Sequence, residues 1–345
     1  MDNKYIDFAL LKVGELVGID SPTGFTEKAS EYVKKEFEKL GFASRYTTKG
    51  GVLVDLGGED DENGIILLTH LDTIGAMVSR VKDNGRLSMS PLGGLHAPGL
   101  EGENVKVYTR NGKVFSGTIQ LPNPSVHVAD DYDKAERSWK TLECVLDEDV
   151  NTKKEAMELG VNNGDIVALD PKFRITDSGY IKSRFLDDKL SVSIALSLAK
   201  YISDNGITPQ RKVWLHVTVY EEIGHGGSAS VPHGVTEGLS IDMGCVGEGI
   251  ECTERQVSIC AKDSGGPYSY PVVSSLIEAA KREGADYSVD VYPHYGSDVE
   301  TTLYSGFDIR HGLIGPGVYA SHCYERSHRD GVKNTLLVLK GYLNI

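Results

Sequence analysis

The chain has 345 residues, of which 40% are hydrophobic and 39 are glycine, with a formal net charge of -14; such a composition describes a folded globular protein rather than a disordered or fibrous one. The acidic balance argues against nucleic acid and anionic membranes as partners, since both are bound by lysine and arginine that neutralise phosphate, but it tolerates a cationic ligand such as the ammonium end of a peptide. Apolar runs of spanning length are absent, and the cysteines Cys144, Cys245, Cys252, Cys260 and Cys323 are odd in number and form no Cys-x-x-Cys pair, which argues against a disulfide framework or a thiolate zinc knuckle and for reduced thiols.

The first residues carry acids and then a helical pattern (Phe8, Leu11, Val13, Val17) over 4–17, unlike a secretory leader, so a cytoplasmic protein is expected. A second helix is predicted over 26–40, opening after Ser21-Pro22-Thr23-Gly24 and closing at Gly41, with Ala29, Tyr32, Val33, Phe37 and Leu40 on one stripe. Strands follow at 51–56 and 64–69, the second a continuous apolar run of the kind covered on both sheet faces. Between 75 and 178 helical periodicity fades and turn residues recur, with Asn111-Gly112 a strong hairpin signal. That texture predicts a small inserted β-domain, barrel-like in character. Beyond it, helix 188–204, strand 212–220, a strand around 239–241, helix 271–283, strand 287–292 and helix 329–343 alternate. The expectation is an α/β fold with a mostly parallel, doubly wound sheet flanked by helices: a catalytic domain from 1–74 and 179–345, interrupted by an insertion at 75–178.

Sites in such sheets lie at the carboxyl ends of the strands, and acids and imidazoles recur there. In the strand ending at Tyr220, Val213, Leu215, Val217 and Val219 face one way and Trp214, His216, Thr218 and Tyr220 the other, and Glu221-Glu222 follow at once. Two like charges at the mouth of a sheet need a cation or a proton to neutralise them, although a solvated loop pair is the bland reading. His70 and Asp72 follow the run Ile65–Thr69 and project to one side, an arrangement of metal ligand and orienting carboxylate; an ordinary loop histidine beside a capping acid is the alternative. Asp187 and Asp188 precede a helix, so either could cap it or bridge two hard cations. Asp242 follows Leu239-Ser-Ile241, and His322 lies in a Gly/Pro-bounded loop after Leu313-Ile314, with His311 and His328 as competitors. Two imidazoles and three carboxylates from separate strand ends compose a two-metal hydrolytic site. Asp187, Glu222 and Asp242 carry three negative charges against four from two divalent ions, a difference that one hydroxide would cancel. Glu221 is left over as a proton acceptor.

The motifs His70-Leu-Asp72, Leu186-Asp-Asp-Lys189, Glu221-Glu-Ile-Gly-His-Gly-Gly227, Ile241-Asp-Met-Gly244 and Ala320-Ser-His322-Cys-Tyr-Glu-Arg326 together resemble metallopeptidase family 42, the glutamyl and deblocking aminopeptidases that include the tetrahedral TET-type particles. The resemblance runs over essentially the whole chain. It implies an aminopeptidase acting on peptides with two divalent ions, zinc or cobalt: His70 and Asp242 terminal ligands on one, Glu222 and His322 on the other, and Asp187 the bridge. Glu221 is then the general base and acid, Asp72 the partner of His70, and the bond between Asp187 and Asp188 cis. The inserted domain is similarly implied to mediate dimer contacts, building to a twelve-subunit tetrahedron. In similar chains the last histidine stands two residues after a tyrosine, whereas Tyr319 is three before His322, which leaves His328 open as the ligand. The stretch Tyr295–Asp298 resembles a loop near the substrate, with helix capping by Ser297 or Asp298 as the plainer role.

Rival readings are a two-metal deacylase or dipeptidase acting on N-acylated amino acids or short peptides, a glycosidase built on paired carboxylates, and a binding protein with a decayed site. Two tryptophans give little surface for sugar stacking. The glycines of 224–227 lack phosphate-loop spacing and are expected to make a strand-to-helix turn. His225 and His294 are expected as packing or surface residues and Cys323 as an ordinary buried thiol.

Overall fold

A computed structural model describes residues 1–345, and the chain divides into two compact units, one made of Met1–Asp72 with Lys172–Ile345 and the other of Thr73–Pro171. The first unit opens with helices α1 (Asn3–Val17) and α2 (Glu27–Lys39) and strands β1 (Ala43–Tyr46), β2 (Val52–Asp55) and β3 (Asp60–His70). The second contains β4 (Gly75–Val81), β5 (Leu87–Leu92), β6 (Asn104–Tyr108), β7 (Val114–Gln120), β8 (Glu143–Leu146), α3 (Lys153–Leu159) and β9 (Ile166–Leu169). The chain returns to the first unit through β10 (Arg174–Ile175), β11 (Tyr180–Ser183), α4 (Leu186–Asp204), β12 (Arg211–Thr218), β13 (Val235–Ile241), β14 (Gly244–Val246) and β15 (Val257–Lys262). It ends with α5 (Tyr270–Glu283), β16 (Tyr287–Val291), α6 (Asp298–Tyr304), β17 (Arg310–Tyr319), β18 (Glu325–His328) and α7 (Arg329–Leu343).

At the centre of the sheet β3 lies parallel between β12 and β13, with His70 opposite Thr218 and Leu68 opposite Ser240. β17 continues the parallel set beyond β13. Antiparallel strands flank these four: β2 and β1 on one side, β18, β11 and β10 on the other. Because β3, β12 and β13 run in one direction and nearly in register, their carboxyl ends open together, which places the segments after His70, Thr218 and Ile241 side by side.

Both faces of the central strands are covered, so Ile65–Leu68 and Val213, Leu215 and Val217 are all buried. In α1 the buried face is Tyr5, Ile6, Ala9, Val13, Leu16 and Val17, whereas Leu11 is exposed, because it falls off the i, i+3, i+4 row that the others follow. Helix α4 is buried nearly all round; its hydroxyls find main-chain acceptors, Ser197 donating to the carbonyl of Tyr5 at 2.6 Å and Ser191 to that of Asp242 at 3.1 Å, so serines there carry no unsatisfied cost.

The second unit is a closed barrel in the order β4-β5-β8-β7-β6-β9. Its β6–β7 hairpin turns at Asn111-Gly112, where Gly112 takes a φ of +83°. A lone short helix, α3, starts on a reciprocal cap between Thr152 and Glu155. Residues 172–178 fall with the first unit rather than with the barrel, since β10 pairs with β11 and so joins the larger sheet. Strand β17 has no clear sequence signature because Gly312, Gly315, Pro316 and Gly317 interrupt its apolar pattern; a side chain at Gly315 would stand 1.6 Å from the carbonyl oxygen of Asp242, so close approach of two backbones dictates glycine there. No helix is long and apolar enough to cross a membrane.

Candidate metal centre

His70 ends β3 and is buried; its Nδ1 lies 2.9 Å from the main-chain oxygen of Asp72, which can only accept, so Nδ1 carries a proton and Nε2 points to Asp187 Oδ1 at 3.0 Å. Asp187 sits at the entrance to α4, and the Asp187–Asp188 peptide bond is cis. Its second oxygen, Oδ2, faces His322 Nε2 at 3.6 Å and accepts from the hydroxyl of Ser321 at 3.1 Å. Glu222 Oε2 lies 3.4 Å from His322 Nε2, and Glu221 Oε2 3.7 Å from His70 Nε2. Asp242, buried after β13, accepts from the N–H of Met243 at 2.6 Å. Ligand-type atoms converge within 4.8 Å in two groups that share His70: His70, Asp187 and Glu222, and His70, Asp188 and Asp242.

So many acids in a buried space perturb one another. Burial and then Asp187 push Glu222 up to about 8 and Asp242 up to about 7, and burial, opposed by His70 and reinforced by Asp298, holds Glu221 well above the carboxylate range. Burial disfavours the charged form of His322, but Asp187, Glu222 and Glu325 together outweigh it and raise the imidazole to about 10. For Asp187 burial is likewise overcome, by the flanking His322 and His70, and its pKa is depressed. Positive charge, whether as protons or cations, is what this cluster demands.

The expected orienting role of Asp72 is divided between its two ends. Its carbonyl takes the His70 proton, while the carboxylate, 3.8 Å from Nδ1, accepts from the hydroxyl of Thr23 at 2.7 Å and from the main-chain N–H groups of Glu221 and Glu222 at 3.1 and 3.4 Å. Asp72 thus fixes the backbone of the acid pair. That pair stands not on the strand but in a single 3-10 turn, Glu221–Ile223, between Tyr220 and Gly224, both left-handed. The glycine segment after it leads into a loop before β13 rather than into a helix, because two neighbours hold it in place. Lys49 donates to the carbonyls of His225 and Gly226 and to Ser228 Oγ. On the other side, Asp298 accepts from the Gly227 N–H and the Thr218 hydroxyl, and Thr302 donates to the Gly227 carbonyl at 2.8 Å. Asp298 is therefore a tie to the turn rather than a cap, and Ser297, at the N-cap of α6, makes no side-chain capping bond.

His328 lies elsewhere in its chemistry: Nε2 donates to the carbonyl of Ser178 at 2.8 Å and Nδ1 accepts from the N–H of Asp330 at 3.0 Å, capping α7. Both ring nitrogens are occupied, whereas His322 is with the acids. His311 packs against the Tyr268 ring. His225 is exposed and stacks on Tyr220, and His294 is exposed. Cys323 is exposed rather than buried, because its loop turns outward after His322; all five cysteines are free. Two further acids stand close to the centre: Asp188, read from the sequence as a cap or a bridge, and Glu325, which escaped the sequence reading. Asp188 gives one oxygen to the N–H of His70 while its other, Oδ1, is buried without a hydrogen-bond partner. Glu325 accepts from the N–H groups of Asp187 and His322; the visible signal was an acid three residues past the histidine.

Residues 50–337 match the family described as M42 glutamyl aminopeptidase. A Bacillus subtilis protein provisionally named aminopeptidase YhfE is 41% identical over 331 residues, 96% of each chain. Among solved structures, the TET1 peptidase of Pyrococcus horikoshii, described as assembling into a tetrahedron or a large octahedral shell, superposes with a TM-score of 0.84 at 22% identity, covering 96% of this chain and 98% of that one. An aminopeptidase from the archaeon Desulfurococcus kamchatkensis does so with 0.84 at 22% identity over 99% and 94%.

Proposed function

This chain belongs to the M42 glutamyl aminopeptidase family, and on that premise we propose that it is a metal-dependent aminopeptidase that removes N-terminal residues from peptides with the help of two divalent cations. One observation carries the two-cation reading: the oxygens of Asp187 face different imidazoles, Oδ1 toward His70 and Oδ2 toward His322, as a carboxylate shared between two ions requires. The residues fit such a pair. Nitrogen and oxygen donors converge within 4.8 Å, Nε2 of His70 is presented by a proton held on Nδ1, and a buried oxygen of Asp188 has no partner.

His70 and Asp242 would hold one ion, Glu222 and His322 the other, and Asp187 both; mixed imidazole and carboxylate donors suit zinc or cobalt. Bound there, the ions would acidify a water and polarise the scissile carbonyl. Glu221 takes the proton from the attacking water and delivers it to the leaving amine as the C–N bond breaks. Asp72 keeps Glu221 and Glu222 in place through their N–H groups. The acidic chain suits substrates that enter amine-first. The likeness to the assembling Pyrococcus peptidase supports self-association, with the barrel unit as the dimer contact and a tetrahedral dodecamer as the end state, and five free thiols suit the cytoplasm.

Glu221→Gln should lower turnover by roughly 10²–10⁴-fold with metal content unchanged, and Glu222→Gln should lose metal. Metal loss in Glu221→Gln with activity regained on adding ions would overturn the base assignment. Cleavage of N-acylated substrates but not free-amine ones would overturn the aminopeptidase reading.

A further inference from the structure

The two residues that define the His322 side of the centre come from distant parts of the chain and are joined by one side chain. Glu325, 1% exposed on β18, accepts the N–H of Asp187 with Oε2 at 3.1 Å and the N–H of His322 with Oε1 at 3.2 Å. It is carried by a strand paired on both edges, Glu325 itself standing opposite Ser183 of β11, so its own position is set by the sheet. The loop it holds is otherwise poorly predisposed to its shape: Ala320 and His322 both take left-handed φ values, 60° and 64°, which cost side-chain-bearing residues energy unless neighbours impose them. Ser321 adds a third tie, donating to Asp187 Oδ2.

We propose that Glu325 is the positioning residue of this half-site, setting the separation of Asp187 and His322 so that an ion can be held between Asp187, Glu222 and His322; the inference rests on the two-cation reading above. The carboxylate suits the task because each of its oxygens can accept, and both N–H groups it meets are donors. An amide of the same shape offers one acceptor and one donor, so one of the two N–H groups would be opposed. His70 and Asp242, on the other side, receive no bond from Glu325, so their half-site depends on it only through the shared Asp187 and should be affected less.

The test is a titration of the metal-free, full-length protein with Co²⁺ alone, followed by visible absorption and by metal counting. The wild type should take up two ions. Glu325→Gln should weaken one binding step by roughly ten- to a hundredfold, as loss of a group orienting metal ligands does elsewhere, and the other, which it touches only through Asp187, by clearly less. Glu325→Asp, which keeps the charge but is too short to reach both N–H groups, should weaken the same step, and it decides the matter if the glutamine variant does not fold. Two wild-type binding steps in a folded variant overturn the proposal, and so does equal weakening of both, which marks a general prop of the fold. One ion in the wild type would instead sink the two-cation reading itself, and the positioning role with it.

Discussion

Gly227→Ala probes whether the turn bearing the acid pair must be held rigidly. A Cβ there would lie 2.2 Å from the carbonyl oxygen of Asp298 and 2.9 Å from both its carbonyl carbon and Thr302 Oγ1. These are not flexible ends that can step aside, and an ordinary contact of 3.4 Å demands a shift of about 1.2 Å. The shift must stretch the two hydrogen bonds that fasten Gly227, from its N–H to Asp298 and from Thr302 to its carbonyl. Two weakened bonds and an overpacked contact together predict about 2–4 kcal/mol of lost stability. The turn is short and internally bonded, His225 N–H to the Tyr220 carbonyl and Gly224 N–H to that of Glu221, so displacement reaches Glu221. Misplacing a catalytic group by about 1 Å costs up to roughly 10²-fold in rate. The assay is kcat/KM on a chromogenic aminoacyl substrate, with metal content and thermal unfolding measured on the same sample. Gly247→Ala, whose new Cβ meets nothing within 4 Å, serves as control and should match the wild type. A folded, metal-loaded Gly227→Ala enzyme within about threefold of wild type, under ~0.7 kcal/mol, refutes the coupling.

Other consequences are open to measurement. His216 is buried with Nδ1 unpartnered, and burial, then Lys49 and Arg45, pulls its pKa down to about 3. The unfolded chain protonates this residue near 6.5 while the folded one does not. Its contribution is therefore intact above that pH and is lost as pH falls toward 3; at pH 4.5 the loss is roughly 2–3 kcal/mol. Unfolding free energies of wild type and His216→Leu should converge or cross on acidification, and parallel curves would disprove the assignment. Glu237, buried, accepts from Arg211 at 2.6 Å, Arg310 at 3.0 Å and the Tyr342 hydroxyl at 2.6 Å. Glu237→Gln breaks a buried charge network and should cost about 2–4 kcal/mol, seen as a lower Tm; an unchanged Tm counts against it. His328→Ala should lose the α7 cap, about 1 kcal/mol, and keep its metal, whereas His322→Ala should lose metal; the reverse pattern would reassign the ligand.

Strong periodicity made much of the fold legible. The run Ile65–Thr69, the stripe Ala29-Val33-Phe37 and the Asn111-Gly112 hairpin each carry a local pattern that survives in the folded chain, because in each case the residues that contact the core or the turn are neighbours in sequence. β17 does not, since Gly315 and Gly317 answer to backbone brought from elsewhere in the chain, at Asp242 and Thr253, and Leu11 misleads because an apolar residue off the buried row can sit in water at little cost.

The acids and imidazoles at strand ends were readable as types: His70, Asp187, Glu221, Glu222, Asp242 and His322 all carry the chemistry of their side chains in the letters alone. Which of them meet was decided by parallel register, which brings the ends of β3, β12 and β13 together. Which of His322 and His328 stands beside the acids was likewise tertiary, as the ring of His328 is spent on Ser178 and Asp330. So were the ties through Asp72, Asp298 and Glu325, each a carboxylate that accepts from at least one main-chain N–H far away in the chain. Residue identity sets what a group can donate, accept or ligate; only the fold, by choosing its neighbours, sets what it does.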